Sequence, residues 1–139
     1  MSVEENKRLV HRFFNAAWNE GDIDTLRSLV APDSVDHSPM GTEQGVESFA
    51  HVVTSFREAF PDVRLTIEHE IAEGDRVVHR WRLDGTSQKP FMGIPPTGKP
   101  TVFEGTTIVR VRDGKIVERW ASMDMLGLLT QLGAIPQPG

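Results

Sequence analysis

The chain has 139 residues, 38% hydrophobic and 25% charged, with a net charge of −5 and no cysteine. That suits a single domain over 1–139 with a core needing no staple, and it excludes disulfides, thiolate metal sites and a cysteine nucleophile. The acidic balance argues against nucleic acid or an anionic membrane as partner. No apolar run nears the roughly 20 residues of a span, and the acidic start at Glu4 and Glu5 is no signal peptide, so the expected location is cytoplasmic.

From Glu4 to Asn19, Leu9, Val10, Phe13, Phe14, Ala17 and Trp18 recur at helical spacing, with Ser2 and Glu5 spaced as a capping box. Gly21 ends that helix, and Asp22 with Thr25 caps a short second one through Val30. Ala31-Pro32-Asp33 stops it, and residues 34–41 read as a turn-rich loop that places Asp36, His37 and Ser38 together. A third helix is expected from Gln44 to Phe60, its stripe including Phe49, Val52, Val53 and Phe56.

The period then changes to 2. Val63, Leu65, Ile67, His69 and Ile71 alternate with polar residues, and after Glu73-Gly74-Asp75-Arg76 a second strand runs from Val77 to Thr86. Residues 87–100 contain four prolines and two glycines and read as an ordered loop with an apolar tip at Phe91, Met92 and Ile94. Asp113-Gly114 then turns a hairpin of residues 101–112 and 115–124, and 126–132 forms an apolar tail before a fraying end at 133–139. Helices followed by antiparallel strands imply an α+β fold, a curved sheet wrapped around the N-terminal helices into a cone with an internal cavity.

Pairing the hairpin directly across Asp113-Gly114 puts Phe103, Thr107, Val109, Val111, Ile116, Glu118, Trp120, Ser122 and Asp124 on one, inward face. Asp124, flanked by Met123, Met125 and Leu126, would then be a carboxyl in apolar surroundings tuned for proton transfer; alternatively it caps the following turn. His37 either handles a substrate proton or bonds backbone in its loop. His69 and His79 read as core residues, while His11 and His51 lie on helical faces. Phe14, Trp18, Val53, Phe56, Phe91, Met92 and Trp120 either line the cavity or fill it, and Arg80 is a surface ion pair or a partner for a carbonyl. No His-Glu-x-x-His, His-x-His, calcium loop, phosphate cradle or Gly-x-Ser-x-Gly occurs, so neither metal nor cofactor is expected.

The set Phe13-Phe14, Trp18-Asn19-Glu20-Gly21-Asp22, Ala31-Pro32-Asp33, Asp36-His37, Phe60-Pro61-Asp62, Gly93-Ile94-Pro95-Pro96-Thr97-Gly98, Asp113-Gly114-Lys115, Trp120, Asp124 and Gln131-Leu132-Gly133 resembles the SnoaL-like polyketide cyclases, or ester cyclases, of the nuclear-transport-factor-like superfamily. The resemblance implies a cofactor-free intramolecular aldol closure on a small apolar carbonyl or ester substrate. Asp124 would be the acid–base group, His37 would lie on the cavity wall, and Ser122 would be among the substrate contacts. Characterised cyclases carry a histidine on the strand before the hairpin, and residues 103–110 contain none. The alternatives are an isomerase, dehydratase or epoxide hydrolase on the same fold, or a non-catalytic binder of a small apolar ligand. By analogy a homodimer is expected, paired through the outer sheet face.

Overall fold

The computed structural model describes residues 2–136. Helix α1 (Val3–Asn15) begins in the expected capping box and runs into a π-helical turn (Ala16–Glu20). Gly21 closes that turn at φ 67, and a Cβ there would lie 2.6 Å from Arg57 Nε. Only glycine combines that conformation with so close an approach. The Arg57 guanidinium in turn donates to the carbonyl of Trp18, tying this turn to the third helix. Helix α2 (Ile23–Leu29) is capped by Asp22, which accepts from the Thr25 amide at 3.1 Å.

The segment read as a loop is a strand. β1 (Val30–Ser38) turns into β2 (Gly41–Gln44), and helix α3 (Glu47–Ala59) therefore starts three residues later than its apolar stripe suggests. Asp, Ser, His and Pro disguise β1 because what stabilises it is pairing with distant chain, not propensity. Then follow β3 (Arg64–Glu73), β4 (Arg76–Thr86), β5 (Pro100–Arg112), β6 (Lys115–Met123) and α4 (Met125–Gln131). The six strands form one mixed sheet in the order β2-β1-β6-β5-β4-β3, in which β1 lies parallel to β6 and all other pairs are antiparallel.

The concave face meets α1, the π-turn, α2 and α3. Phe13, Phe14, Trp18, Phe49, Val53 and Phe56 from the helices pack with Val77, Trp81, Leu83, Phe103, Val109 and Ile116 from the sheet. Each fully buried side chain of this size contributes about 1.5–3 kcal/mol. Aromatic pairs run through the interior, among them Phe13 stacked on Phe49 at 5.3 Å and Trp18 edge-on to Phe56 at 5.4 Å.

Two bulges reset which side chains face this core. Between β3 and β4 the pairing slips by one residue between Ile67 and His69, so Glu70 pairs with His79. Glu70 and Ala72 turn inward, while His69 and Ile71, expected inside, are exposed. Between β5 and β6 it slips between Arg110 and Val111, so Val109 faces Arg119, Ile108 faces Trp120 and Gly105 faces Met123. Arg119 and Ala121 are therefore buried, and the expected inward row of Glu118, Trp120 and Ser122 lies on the convex side. A one-residue slip sends every later side chain to the other face.

Helix α4 closes the end of the sheet. β6 stops at Met123 while β5 continues, paired with β4, to Pro100, so that beyond Gly105 the side of β5 facing away from β4 has no strand partner. The Asp124 amide donates to the Glu104 carbonyl at 2.9 Å. The side-chain amide of Gln131 then serves as a surrogate strand, accepting from the Val102 amide at 2.8 Å and donating to the Val102 carbonyl at 2.7 Å. Of the expected fray over 133–139, residues 137–139 lie outside the described residues, and Gly133 and Ala134 instead turn back on α4 through bonds to Thr130 and Leu129. Among the described residues no helix is long and apolar enough to cross a membrane.

Candidate active site at the mouth of the cone

Asp124 sits where β6 ends. Its Oδ1 accepts from the Gly127 amide at 2.8 Å, the cap of α4. The carboxylate is exposed, so the apolar enclosure expected around it is not there. The register slip in β6 is the reason, since it gives the inward position to Met123. Gly127 is part of this geometry. A Cβ at 127 would stand 2.7 Å from Asp124 Cγ and closer still to Oδ2, so only glycine lets the carboxylate lie against the helix.

Next to Glu104, whose carbonyl holds the Asp124 amide, Phe103 of β5 is buried and stacked on Phe56 at 6.0 Å. Phe91 covers the same group, edge-on to Phe56 at 5.3 Å and to Phe60 at 5.9 Å. It is delivered by a tight turn in which Phe91 and Ile94 exchange backbone bonds of 3.0 and 2.8 Å across Met92 and Gly93, both at positive φ. Positive φ at both central residues is the type I′ pattern, uncommon for methionine. Met92 itself points outward, 56% exposed. The end of the sheet thus carries a solvent-facing carboxylate after β6 and, on the concave side, an aromatic cluster in which Phe91 packs on Phe56 and Phe60.

The other expected residues fall elsewhere. Phe14, Trp18, Val53 and Phe56 are buried in the hydrophobic core. Two surface depressions lie along the helices and the start of β3. One of ≈ 260 Å³ is lined by Gly21, Ile23, Val53, Thr54, Arg57, Glu58 and Pro61, and another of ≈ 350 Å³ lies between Asn15, Asn19 and Arg64. His37 is on the convex face, not the cavity wall: its ring stacks on Trp120 at 5.6 Å and its Nε2 lies 2.8 Å from Glu118 Oε2. Trp120 is therefore also outside, as is the exposed Ser122. Arg80 is a surface ion pair with Glu104 at 3.1 Å. Glu118, bonded by His37 and then by Arg110, is held below the usual glutamate range.

Two polar groups occupy the concave face instead, built on Arg119 and Glu70, which strict alternation places outside. Arg119 donates to Asp36 Oδ2 at 2.8 Å and lies 4.1 Å over the ring of Phe49, while Asp36 Oδ1 is buried without a partner. His79 and His11 both meet Glu70. Burial pushes the His79 imidazole down, against the hydrogen bond to Glu70 and with a smaller push from His11.

A six-stranded mixed sheet curled over N-terminal helices, with a short closing helix at its end, defines the α+β cone of the nuclear-transport-factor-like kind. The family model of the SnoaL-like polyketide cyclases matches residues 8–132, and the chain belongs to that family of enzymes. It is 31% identical over 131 residues to the aklanonic acid methyl ester cyclase DnrD of Streptomyces peucetius, covering 90% of this chain and 88% of that one. It is 30% identical over 121 residues to the nogalonic acid methyl ester cyclase of Streptomyces nogalater, covering 85% and 90%. Among solved structures, AclR from Streptomyces galilaeus superposes with a TM-score of 0.89 at 32% identity, covering 99% of this chain and 87% of AclR. IdmH from Streptomyces antibioticus gives 0.82 at 36% identity, covering 92% and 98%.

Proposed function

We propose that the chain is an ester cyclase that closes a carbocyclic ring in a small polyketide-type methyl ester by intramolecular aldol addition, with Asp124 as the acid–base group. The observation that supports this most is the Asp124 carboxylate, fixed by Gly127 through one oxygen and open to approach. In this reading the carboxylate takes a proton from the carbon α to a carbonyl. The resulting enolate carbon bonds to a second carbonyl carbon of the same molecule, and the oxyanion formed there recovers the proton from Asp124. No electron leaves or enters, so the residue need only carry a proton.

The enclosure that the protein alone does not give Asp124 would come from the ligand. A flat apolar substrate replacing Phe91 on Phe56 and Phe103 would shield the carboxylate from water and hold the two carbonyls in reach. Phe91 is then the gate, carried on a tight turn closed by the two bonds to Ile94.

The test is turnover of aklanonic or nogalonic acid methyl ester by the wild type and by Asp124→Asn. A positioned acid–base group supplies roughly 10²–10⁴-fold, and the variant should lose at least the lower figure. Full turnover in the variant would end the assignment. A product lacking a new carbon–carbon bond would instead favour isomerase, dehydratase or hydrolase chemistry.

A further inference from the structure

We propose that His11, Glu70 and His79 form a binding site for one divalent first-row transition ion, with two imidazole nitrogens and one carboxylate oxygen as ligands. The site shares no residue with the mouth of the cone and stands independently of the ring-closing reading.

The three side chains come from α1, β3 and β4 and converge on one point. His11 Nε2 lies 2.5 Å and His79 Nε2 2.7 Å from the same oxygen, Glu70 Oε2, and one donor atom from each of the three residues falls within 4.8 Å of the others. The imidazole rings stand 5.0 Å apart at 57°. Both thus present Nε2 to the same carboxylate oxygen. Two imidazoles and one carboxylate are the donors of three-ligand zinc sites and of the facial sites of non-haem iron.

The geometry requires little adjustment to admit an ion. Ligand atoms about 2.1 Å from a tetrahedral metal are about 3.4 Å apart, so the contacts of Glu70 with His11 and His79, now 2.5 and 2.7 Å, need to lengthen by less than about 1 Å. Their positions permit it, because the side chain of His11 is 50% exposed and that of Glu70 22%, whereas His79 is 1% exposed. His79 is wedged beside the Phe14 ring at 5.7 Å, and its Nδ1 has no hydrogen-bond partner. It is the fixed ligand, and the exposure gradient towards His11 is an entry path from solvent.

The β3 bulge is the second observation. Without it Glu70 would face water and Ile71 the core. The chain instead turns an isoleucine outward, 67% exposed, and brings a carboxylate against two imidazoles. Apolar packing gains nothing from that exchange, whereas an N₂O donor set is completed by it.

The experiment uses untagged, chelator-treated full-length protein titrated with Co²⁺ and Zn²⁺. Wild-type protein should bind one equivalent of Co²⁺ with a visible ligand-field band that Zn²⁺ displaces. His11→Ala and Glu70→Gln, both at accessible positions and checked for folding by circular dichroism, should each weaken binding at least about tenfold. His51→Ala, on the exposed side of α3, should leave it unchanged. Absence of saturable binding, or equal affinity in His11→Ala and wild type, would overturn the proposal.

Discussion

Arg119 on β6 and Asp36 on β1 meet on the concave face of the sheet, Nη2 to Oδ2 at 2.8 Å, because parallel pairing places them side by side. Both side chains are almost wholly buried, and Asp36 Oδ1 has no donor. Removing one member of such a pair strands a charge in the core and costs about 3–5 kcal/mol. Arg119→Met should therefore lower unfolding free energy in urea by that order. Adding Asp36→Leu should recover most of the loss, since replacing both members by apolar groups is often nearly neutral. A double variant as unstable as the single one would contradict this account.

Gly127 positions the Asp124 carboxylate. Gly127→Ala inserts a methyl group where that carboxylate lies. Alanine favours a helix by about 1 kcal/mol over glycine, and losing the cap costs about 1 kcal/mol, so stability should scarcely move. Turnover should nonetheless fall by about tenfold or more, a displacement penalty of at least 1.4 kcal/mol in the barrier. Unchanged turnover with unchanged stability would separate Gly127 from the reaction.

Gln131 stands in for a strand. Gln131→Leu deletes both bonds to Val102 and leaves that amide and carbonyl unpaired at the edge of β5. The expected cost is about 1–3 kcal/mol. The clearer readout is hydrogen exchange, where the Val102 amide should lose protection while Val109, deep in the β4–β5 ladder, keeps its own.

The convex cluster of His37, Glu118 and Arg110 gives a pH signature. Hydrogen bonds from His37 and Arg110 favour the charged carboxylate, so Glu118 should titrate below ordinary glutamates when followed by carbon NMR. Because the folded pKa lies below the unfolded one, the associated stability is present above the unfolded value and fades as pH falls through the folded one. His37→Ala should move the titration upward; a midpoint that stays put would show that His37 has no part in it.

Helix caps, the Asp113-Gly114 turn, the Phe91–Ile94 tip and the α+β order were legible because each is written in local residue chemistry. The site was less so. Strict alternation reads Glu70 and Arg119 as solvent-facing and Trp120 and Asp124 as interior, and each bulge inverts its strand after one extra residue. No short motif marks a bulge, since it is fixed by pairing with distant chain. The inward charges offered one hint: His79, on an apolar face, needed a partner that only a shifted Glu70 could supply. His37 was misplaced by one position, because the interior member of Asp36-His37 is the aspartate.

The strand order also has a consequence for assembly. In the sheet of the described residues β6 lies between the β1–β2 ribbon and the β3–β4–β5 meander, and it joins residues as far apart in the chain as Asp36 and Arg119, 83 positions. During synthesis both halves wait with open hydrogen-bonding rims until β6 leaves the ribosome. Such unsatisfied rims invite intermolecular pairing. Nascent chains stalled before Lys115 should thus be the species most dependent on chaperones, and closure of the sheet a late, slow event governed by that long-range join.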